Sequence, residues 1–213
     1  MRSTLDLIAL EQQEIVALLI TTSFAAGLNV YATVATLGLL SQFDVIVLPE
    51  PLLLLESWWV IGACAVMFSV EFFVDKVPAF DLIWNALHTF VRVPVGALLA
   101  YGAAAPLSPG WQLAAAALGG AVAFAAHAGK TAMRAAVTPS PEPLSNIGLS
   151  LVEDALAIGL TWFAVNHPFI AAAIVLVMLA MMIILIRMVV GALRALYRGA
   201  RRAMSPRTSP GST

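Results

Sequence analysis

Long apolar stretches separated by short polar segments dominate the hydrophobic pattern of the chain. Residues 15–43 carry no charged side chain, and this stretch exceeds the ~20 residues that a helix needs to cross the hydrocarbon core of a bilayer. Later apolar stretches end at turn signals rich in proline, glycine, asparagine or charged residues. The pattern predicts six transmembrane helices, over about 15–40, 57–75, 81–104, 111–128, 145–165 and 169–190.

The composition supports an all-α integral membrane protein. The 213 residues are 61% hydrophobic and 11% charged, with a mean hydropathy of +0.94, whereas soluble domains carry about 25% charged residues. The net charge of −1 argues against a nucleic-acid partner. Cys64 is the only cysteine, so no disulfide framework is expected. No motif for a cofactor is evident.

Three segments are predicted along the chain. Residues 1–14 form an interfacial N-terminal segment, residues 15–192 a six-span transmembrane domain, and residues 193–213 a basic tail with a disordered end. The acidic residues that precede the first apolar stretch are unlike the basic start of a signal peptide. The arginine-rich tail predicts binding to anionic lipids of the surrounding bilayer.

The basic residues indicate how the spans are oriented. Six spans place both termini on one side, together with Lys76, Lys130, Arg134 and the tail arginines. The three loops predicted on the other side, near residues 41–56, 105–110 and 166–168, contain no lysine or arginine. By the positive-inside rule, both termini are expected to be cytoplasmic.

Titratable and polar side chains concentrate within the predicted spans. On the third helix, Asp81, Asn85, His88 and Arg92 fall at i, i+4, i+7 and i+11 and therefore share one face. Ionisable residues at membrane depth are costly and mark functional sites. The predicted path for a substrate or ion comprises Glu71, Asp81, Asn85, His88, Arg92, His127, Ser150, Glu153 and Asp154. Its predicted cytoplasmic entrance comprises Asp75, Lys76, Lys130 and Arg134.

Two interpretations of these charges stay open. The entrance charges are interpreted first as ion pairs that hold helices together, whereas Arg92, Glu153 and Asp154 are interpreted as functional, because burying them is expensive. His88 and His127 are either proton carriers or metal ligands, or hydrogen-bonded core residues. The sequence leaves metal binding unknown.

A weak internal symmetry accompanies this pattern. A proline-containing polar segment joins spans two and three, and another joins spans four and five. Duplicated polar interruptions of this kind are typical of transporters built from repeats, and with three spans per half the two halves would be inverted. Small residues on helices one and four, including Gly119 and Gly120, make a homodimer feasible.

Three segments carry a resemblance to a known family. They are GLNVYATVATLGLL (27–40), EFFVDKVPAFDLIWNALHTFVRVPVGALLA (71–100) and SPEPLSNIGLSLVEDALAIG (140–159). On these segments the chain resembles a bacterial membrane family catalogued as domain of unknown function 4126. The resemblance implies a multi-span protein of the bacterial inner membrane, and it brings no established reaction.

The function predicted from these observations is a transporter or channel for an ion or small polar solute. Such a protein would pair Arg92 with Glu153 or Asp154 and would couple solute binding to protonation of these residues. An intramembrane enzyme acting on a lipid-linked substrate, with His88 and one of those acids as acid and base, is an alternative. A structural or assembly protein is another. No nucleophile or phosphate-binding motif is present to identify an enzyme.

Overall fold

The computed structural model describes residues 12–75, 78–137 and 143–204, and their side chains over 14–75, 83–134 and 147–199. Most of these residues are helical, and no strand occurs among them. The helices are α1 (Gln12–Leu28), α2 (Val30–Gln42), a 3-10 helix (Glu50–Glu56), α3 (Trp58–Val74), α4 (Pro78–Ala103), α5 (Pro109–Val137), α6 (Pro143–Asn166) and α7 (Pro168–Met204).

Proline begins each of the four long helices. Pro78, Pro109, Pro143 and Pro168 stand at the first positions of α4 to α7. The first helical position suits proline because its amide has no intrahelical partner there, and its fixed φ matches the helix. These prolines explain why the later helices start within a few residues of the positions predicted from the sequence.

The first apolar stretch is divided at Asn29, so the continuous span predicted over 15–40 is wrong. Asn29 has extended backbone angles (φ −147°, ψ 104°) between α1 and α2. Its side-chain oxygen accepts a hydrogen bond from the Ala32 amide at 3.0 Å, which caps the new helix start. At 1.5 Å per residue, α1 and α2 are about 25 and 20 Å long, so neither reaches the ~30 Å of a bilayer core.

Helix α1 runs parallel to α5. Its early residue Ile15 belongs to the same buried cluster as Ala104 and Ala115, beside the α4–α5 connection. Its last residue lies near the other end of α5, where the Lys130 Nζ atom is 3.3 Å from the Leu28 carbonyl oxygen. The connections at 104–108 and 167 lie at one end of the helices, which we call the short-turn end. Helix α7 ends at the opposite end, which we call the tail end. Helix α1 therefore begins at the short-turn end.

Helix α2 leads back to the short-turn end. Near its start, the Tyr31 hydroxyl is 2.9 Å from His88 Nε2, in the first half of α4. Further along, Leu37 packs in one cluster with Leu52 of the 3-10 helix and Leu99, near the end of α4. Helices α1 and α2 thus form a hairpin, residues 12–42, whose tip is Asn29 and whose two open ends lie at the short-turn end.

The number of helices able to cross a membrane is smaller than predicted. In the part of the chain that the structure describes, four helices are long and apolar enough, over Ile83–Ala103, Pro109–Arg134, Ile147–Asn166 and Pro168–Gly199. A fifth candidate is the 3-10 helix with α3, which meet at an angle of 65°. Since the hairpin returns to its own side, the start of α1 and the end of α7 lie at opposite ends. This differs from the six spans and shared terminal side that were expected; residues 1–11 lie outside the described part.

Small residues bring α1, α4 and α5 close together. A Cβ atom added at Gly119 would lie 2.4 Å from the Ala100 Cβ and 2.7 Å from the Gly96 carbonyl oxygen. The Ser23 hydroxyl of α1 donates to that carbonyl at 3.1 Å. This close approach is typical of helices that pack within membranes. The Gly119 face is therefore used inside the chain, and the predicted homodimer stays a prediction.

Candidate functional site

Six charged side chains from four helices meet in one buried cluster. Each is at most 4% exposed as a whole residue. Burial of ions is expensive and is tolerated where opposite charges and hydrogen bonds compensate. We call this set the charge cluster; it comprises Glu71, Asp75, Arg92, Lys130, Arg134 and Glu153.

Arg92 forms the side of the charge cluster nearest the middle of α4. Its guanidinium donates to Glu71 of α3, to the Asn85 side-chain oxygen at 3.1 Å and to His127 Nδ1 at 2.7 Å. The sequence predicted Glu153 or Asp154 as its acidic partner, and that pairing is wrong. Glu71, one helix away in sequence, takes that place.

Lys130 occupies the centre of the charge cluster. Its Nζ atom is 3.5 Å from Glu71, 3.2 Å from Asp75 and 3.1 Å from Glu153. It also donates to the Leu28 carbonyl, at the C-terminal end of α1. A cation is favoured there because the helix macrodipole is negative at that end. Lys130 therefore joins the hairpin tip to α3 and α6.

Arg134 lies one helical turn further along α5 and bridges α3 to α6. Its NH2 group is 2.7 Å from Asp75 and 2.6 Å from Glu153. Its NH1 group donates to the Asp75 carbonyl oxygen, at the end of α3, at 3.3 Å. Each of the three carboxylates thus contacts two cations, because Glu71 is shared by Arg92 and Lys130 and the other two by Lys130 and Arg134.

The contacts of His127 define its tautomer. Guanidinium groups only donate hydrogen bonds, so His127 Nδ1, 2.7 Å from Arg92, must accept and carries no proton. The proton of the neutral ring then resides on Nε2, which is 2.8 Å from the Thr89 hydroxyl. Thr89 in turn donates to the Asn85 carbonyl at 3.2 Å. Protonating Nδ1 would set two donors against each other, so His127 is held neutral beside Arg92.

His88 is held in the opposite tautomer. Its Nδ1 is 2.8 Å from the Trp84 carbonyl, which only accepts. In the neutral ring, Nε2 then accepts from the Tyr31 hydroxyl at 2.9 Å. The Trp84 ring also stacks on His88, with centroids 4.3 Å apart. His88 therefore ties α4 to the start of α2.

Asp154 and Asn29 meet at the hairpin tip. The Asn29 amide donates to Asp154 Oδ1 at 2.9 Å, while its oxygen caps α2. Asp154 Oδ2 is buried and has no hydrogen-bond partner among the described residues. Glu153, the adjacent residue of α6, belongs to the charge cluster. The two acids of α6 thus have different surroundings.

Most of the predicted path residues come together. Glu71, Asn85, Arg92, His127 and Glu153 lie in or against the charge cluster. Three entrance charges belong to the charge cluster itself: Asp75, Lys130 and Arg134. Ser150 lies beside the charge cluster, with its hydroxyl 3.5 Å from Asp75. Asp154 lies on the side next to the end of α1, where it contacts Asn29. His88 contacts Tyr31 instead. Lys76 and the side chain of Asp81 lie outside the described residues.

The sequence reasoning missed two polar partners. They are Asn29 and Tyr31, which the predicted path does not include. The available signal was an asparagine in the middle of a long uncharged stretch, since this residue type favours helix caps over helix interiors.

A groove of about 460 Å³ borders the charge cluster on the side of α7. Its polar lining includes Asn85, Thr89, His127 and Thr131. Apolar side chains of α5 and α7, among them Phe124 and Val190, form much of the remainder. The groove thus joins an apolar outer surface to the polar residues around Arg92.

The donors present do not form a metal site within the described residues. No group of three or more histidine, cysteine or carboxylate side chains is suitably placed there. The carboxylates of the charge cluster are engaged with Lys130, Arg92 or Arg134, and these cations would repel a metal ion.

A buried, paired set of charges inside apolar helices long enough to cross a bilayer defines a membrane-like helical protein. The chain belongs to the family described as domain of unknown function (DUF4126), whose model matches residues 16–188. This confirms the resemblance found in the sequence. Neither the curated proteins nor the solved structures gave a match.

Proposed function

We propose that the protein is a transporter or channel for an ion or small polar solute, with the charge cluster at its path. The observation that carries this proposal is the position of the charge cluster at the tip of the α1–α2 hairpin. Helix ends inside a bilayer are tolerated where they are buried in protein or line a polar path. Discontinuous helices that meet near mid-membrane are also the usual binding elements of transporters.

Each carboxylate of the charge cluster contacts two cations, and this sharing supports a mechanism in which ion-pair partners are exchanged. Glu71 contacts Arg92 and Lys130, and Glu153 contacts Lys130 and Arg134. When a charged solute displaces one partner, the carboxylate keeps the other and avoids the full cost of an isolated buried charge. A set of bridged charges can therefore open in steps, which an isolated buried pair cannot.

The proposed orientation has the tail end in the cytoplasm of a bacterial inner membrane. Lys130 and Arg134 lie near the end of α5, and Arg194 and Arg198 near the end of α7, all towards the tail end, whereas the connections of the short-turn end contain no lysine or arginine. The positive-inside rule then makes the C-terminus cytoplasmic. Because the open ends of the hairpin lie at the short-turn end, we place the N-terminus on the side of the membrane opposite the cytoplasm. The six predicted spans instead placed both termini in the cytoplasm.

Charge movement in liposomes tests the proposal. Purified protein is reconstituted, and current is recorded after a rapid step in pH or salt. We expect a current in wild type that is lost in Arg92→Ala and Glu153→Gln at equal incorporation. The matched controls are Arg194→Ala and Glu50→Gln, whose exposed side chains carry the same charges, and both should retain it. If the cluster variants conduct like wild type, this path is wrong.

The groove beside His127 favours a second candidate, an intramembrane enzyme acting on a hydrophobic substrate. It would allow an apolar molecule to approach polar groups from the side of α7. Mass spectrometry of the purified protein distinguishes this candidate, since a lipid-linked substrate or product should co-purify. Replacing Thr131 in the groove with leucine should reduce that occupancy without affecting the liposome current.

A further inference from the structure

Asp154 is the acid at the hairpin tip, and none of the cations that the structure describes forms an ion pair with it. Its residue is 6% exposed, and it forms no salt bridge within the part of the chain that the structure describes. Its one hydrogen bond comes from Asn29, and its Oδ2 atom is buried without a partner there. An ionised carboxylate in such surroundings is disfavoured, because burial penalises the charged form.

The charge balance of the described side chains leads to the same conclusion. Three carboxylates of the charge cluster face three cations, and every one of these carboxylates is in contact with two of them. An ionised Asp154 would add a fourth negative charge to this described set, which has three cations. A protonated Asp154 leaves the described set neutral.

Polar and charged groups of several elements act on Asp154. Asn29, at the junction of α1 and α2, donates a hydrogen bond to it, and Lys130 of α5 and the acids Glu71 and Asp75 contribute to the electrostatic potential at its carboxyl group. Its neighbour Glu153 is held by Lys130 and Arg134. Helix α7 adds apolar side chains to the cluster that includes Ala157 of α6, namely Val175, Met178, Leu179 and Met182. The neighbouring acids disfavour a further negative charge, and Lys130 is already engaged with three carboxylates.

We propose that Asp154 is a proton-binding site and that the proton is the ion, or the coupling ion, that the protein carries. This inference rests on the proposed transport function. In the state described, Oδ2 carries the proton and Oδ1 accepts from Asn29. When the hairpin tip moves away and water reaches the site, the O–H bond of Asp154 breaks, the proton passes to water, and the electron pair stays on the carboxylate. The reverse step reloads the site.

Two measurements on the full chain test the proposal. Infrared spectroscopy of purified protein, with proton–deuteron exchange, detects protonated carboxyl groups independently of transport. Proteoliposomes containing a pH-sensitive dye report proton flux under a pH gradient. The variants are Asp154→Asn, which has the size and neutrality of the protonated acid, and Asp154→Glu, which keeps a titratable group. Asp44→Asn is the matched control, since Asp44 is exposed.

The expected result is a carboxyl band in wild type at neutral pH that is absent in Asp154→Asn and present in Asp154→Glu and Asp44→Asn. Asp154→Asn should melt at the wild-type temperature, because it imitates the protonated state, while its proton flux is lost. A band that survives in Asp154→Asn, or flux that survives in it, would overturn the proposal. If Asp154→Asn fails to fold, absence of the band from wild type overturns it equally. A wild-type band without any flux would instead refute proton transport and leave the proton site standing.

Discussion

Removing the acid of the Glu71–Arg92 pair should destabilise the protein more than removing the base. Arg92 donates to Glu71, Asn85 and His127, so Glu71 is its carboxylate partner among the described residues. Glu71→Leu leaves a fully buried guanidinium without a counterion. Arg92→Met leaves Glu71 with Lys130 at 3.5 Å. The asymmetry follows from the sharing of Glu71 between two cations.

The size of the effect can be worked from this geometry. Removing one member of a buried ion pair costs about 3–5 kcal/mol. In a chain of about 200 residues, 1 kcal/mol shifts Tm by roughly 2–4 °C, so Glu71→Leu should lower Tm by about 6–20 °C. Arg92→Met should lower it by less. The double variant replaces both charges by apolar side chains, and such replacements are neutral or stabilising, so it should regain most of the loss.

Thermal unfolding in detergent, followed by circular dichroism, measures all four proteins of this double-mutant cycle. Glu50→Gln and Arg194→Met are controls that remove exposed charges of the same types, and surface substitutions of this kind usually change stability by less than about 0.5 kcal/mol. The reasoning is refuted if Glu71→Leu melts no lower than Arg92→Met, or if the double variant melts below both single variants.

Two further predictions concern packing and direction. Gly119→Ala places a Cβ atom 2.4 Å from a side chain of α4, whereas the Cβ atom of Gly159→Ala meets nothing within 4 Å. The free energy of unfolding should fall by about 1–3 kcal/mol in Gly119→Ala and should not fall in Gly159→Ala. Equal melting temperatures of the two variants would contradict the packing argument. In a Cys64→Ala background, Glu14→Cys and Arg198→Cys should react with a membrane-impermeant maleimide from opposite sides of the membrane, and labelling from one side would rule out the hairpin.

The sequence was sufficient for the features that depend on local pattern. The apolar stretches predicted the long helices, and the prolines at 78, 109, 143 and 168 explain their starts. Helical spacing also placed Asn85 and Arg92 on one face, where the structure joins them. These features follow from residues close in the chain and need no knowledge of the neighbouring helices.

The hairpin and the pairing of charges depend on contacts distant in sequence. A single asparagine hardly changes the hydropathy of residues 15–43, and its role at the tip requires Asp154, 125 positions away. The choice between Glu71 and Glu153 as partner of Arg92 likewise depends on how α3, α4 and α6 pack. Periodicity shows which residues share one face of a helix, but it does not show which neighbouring helix that face contacts.

The central position of α1 has a consequence for how the protein is made. Helix α1 packs against α4, α5, α6 and α7, its polar residues Thr21 and Ser23 are fully buried, and so is Asn29 directly after it. Those surroundings do not exist when the ribosome has delivered only the N-terminal third of the chain. Helix α1 can therefore reach its final packing only after α4 to α7 have been synthesised.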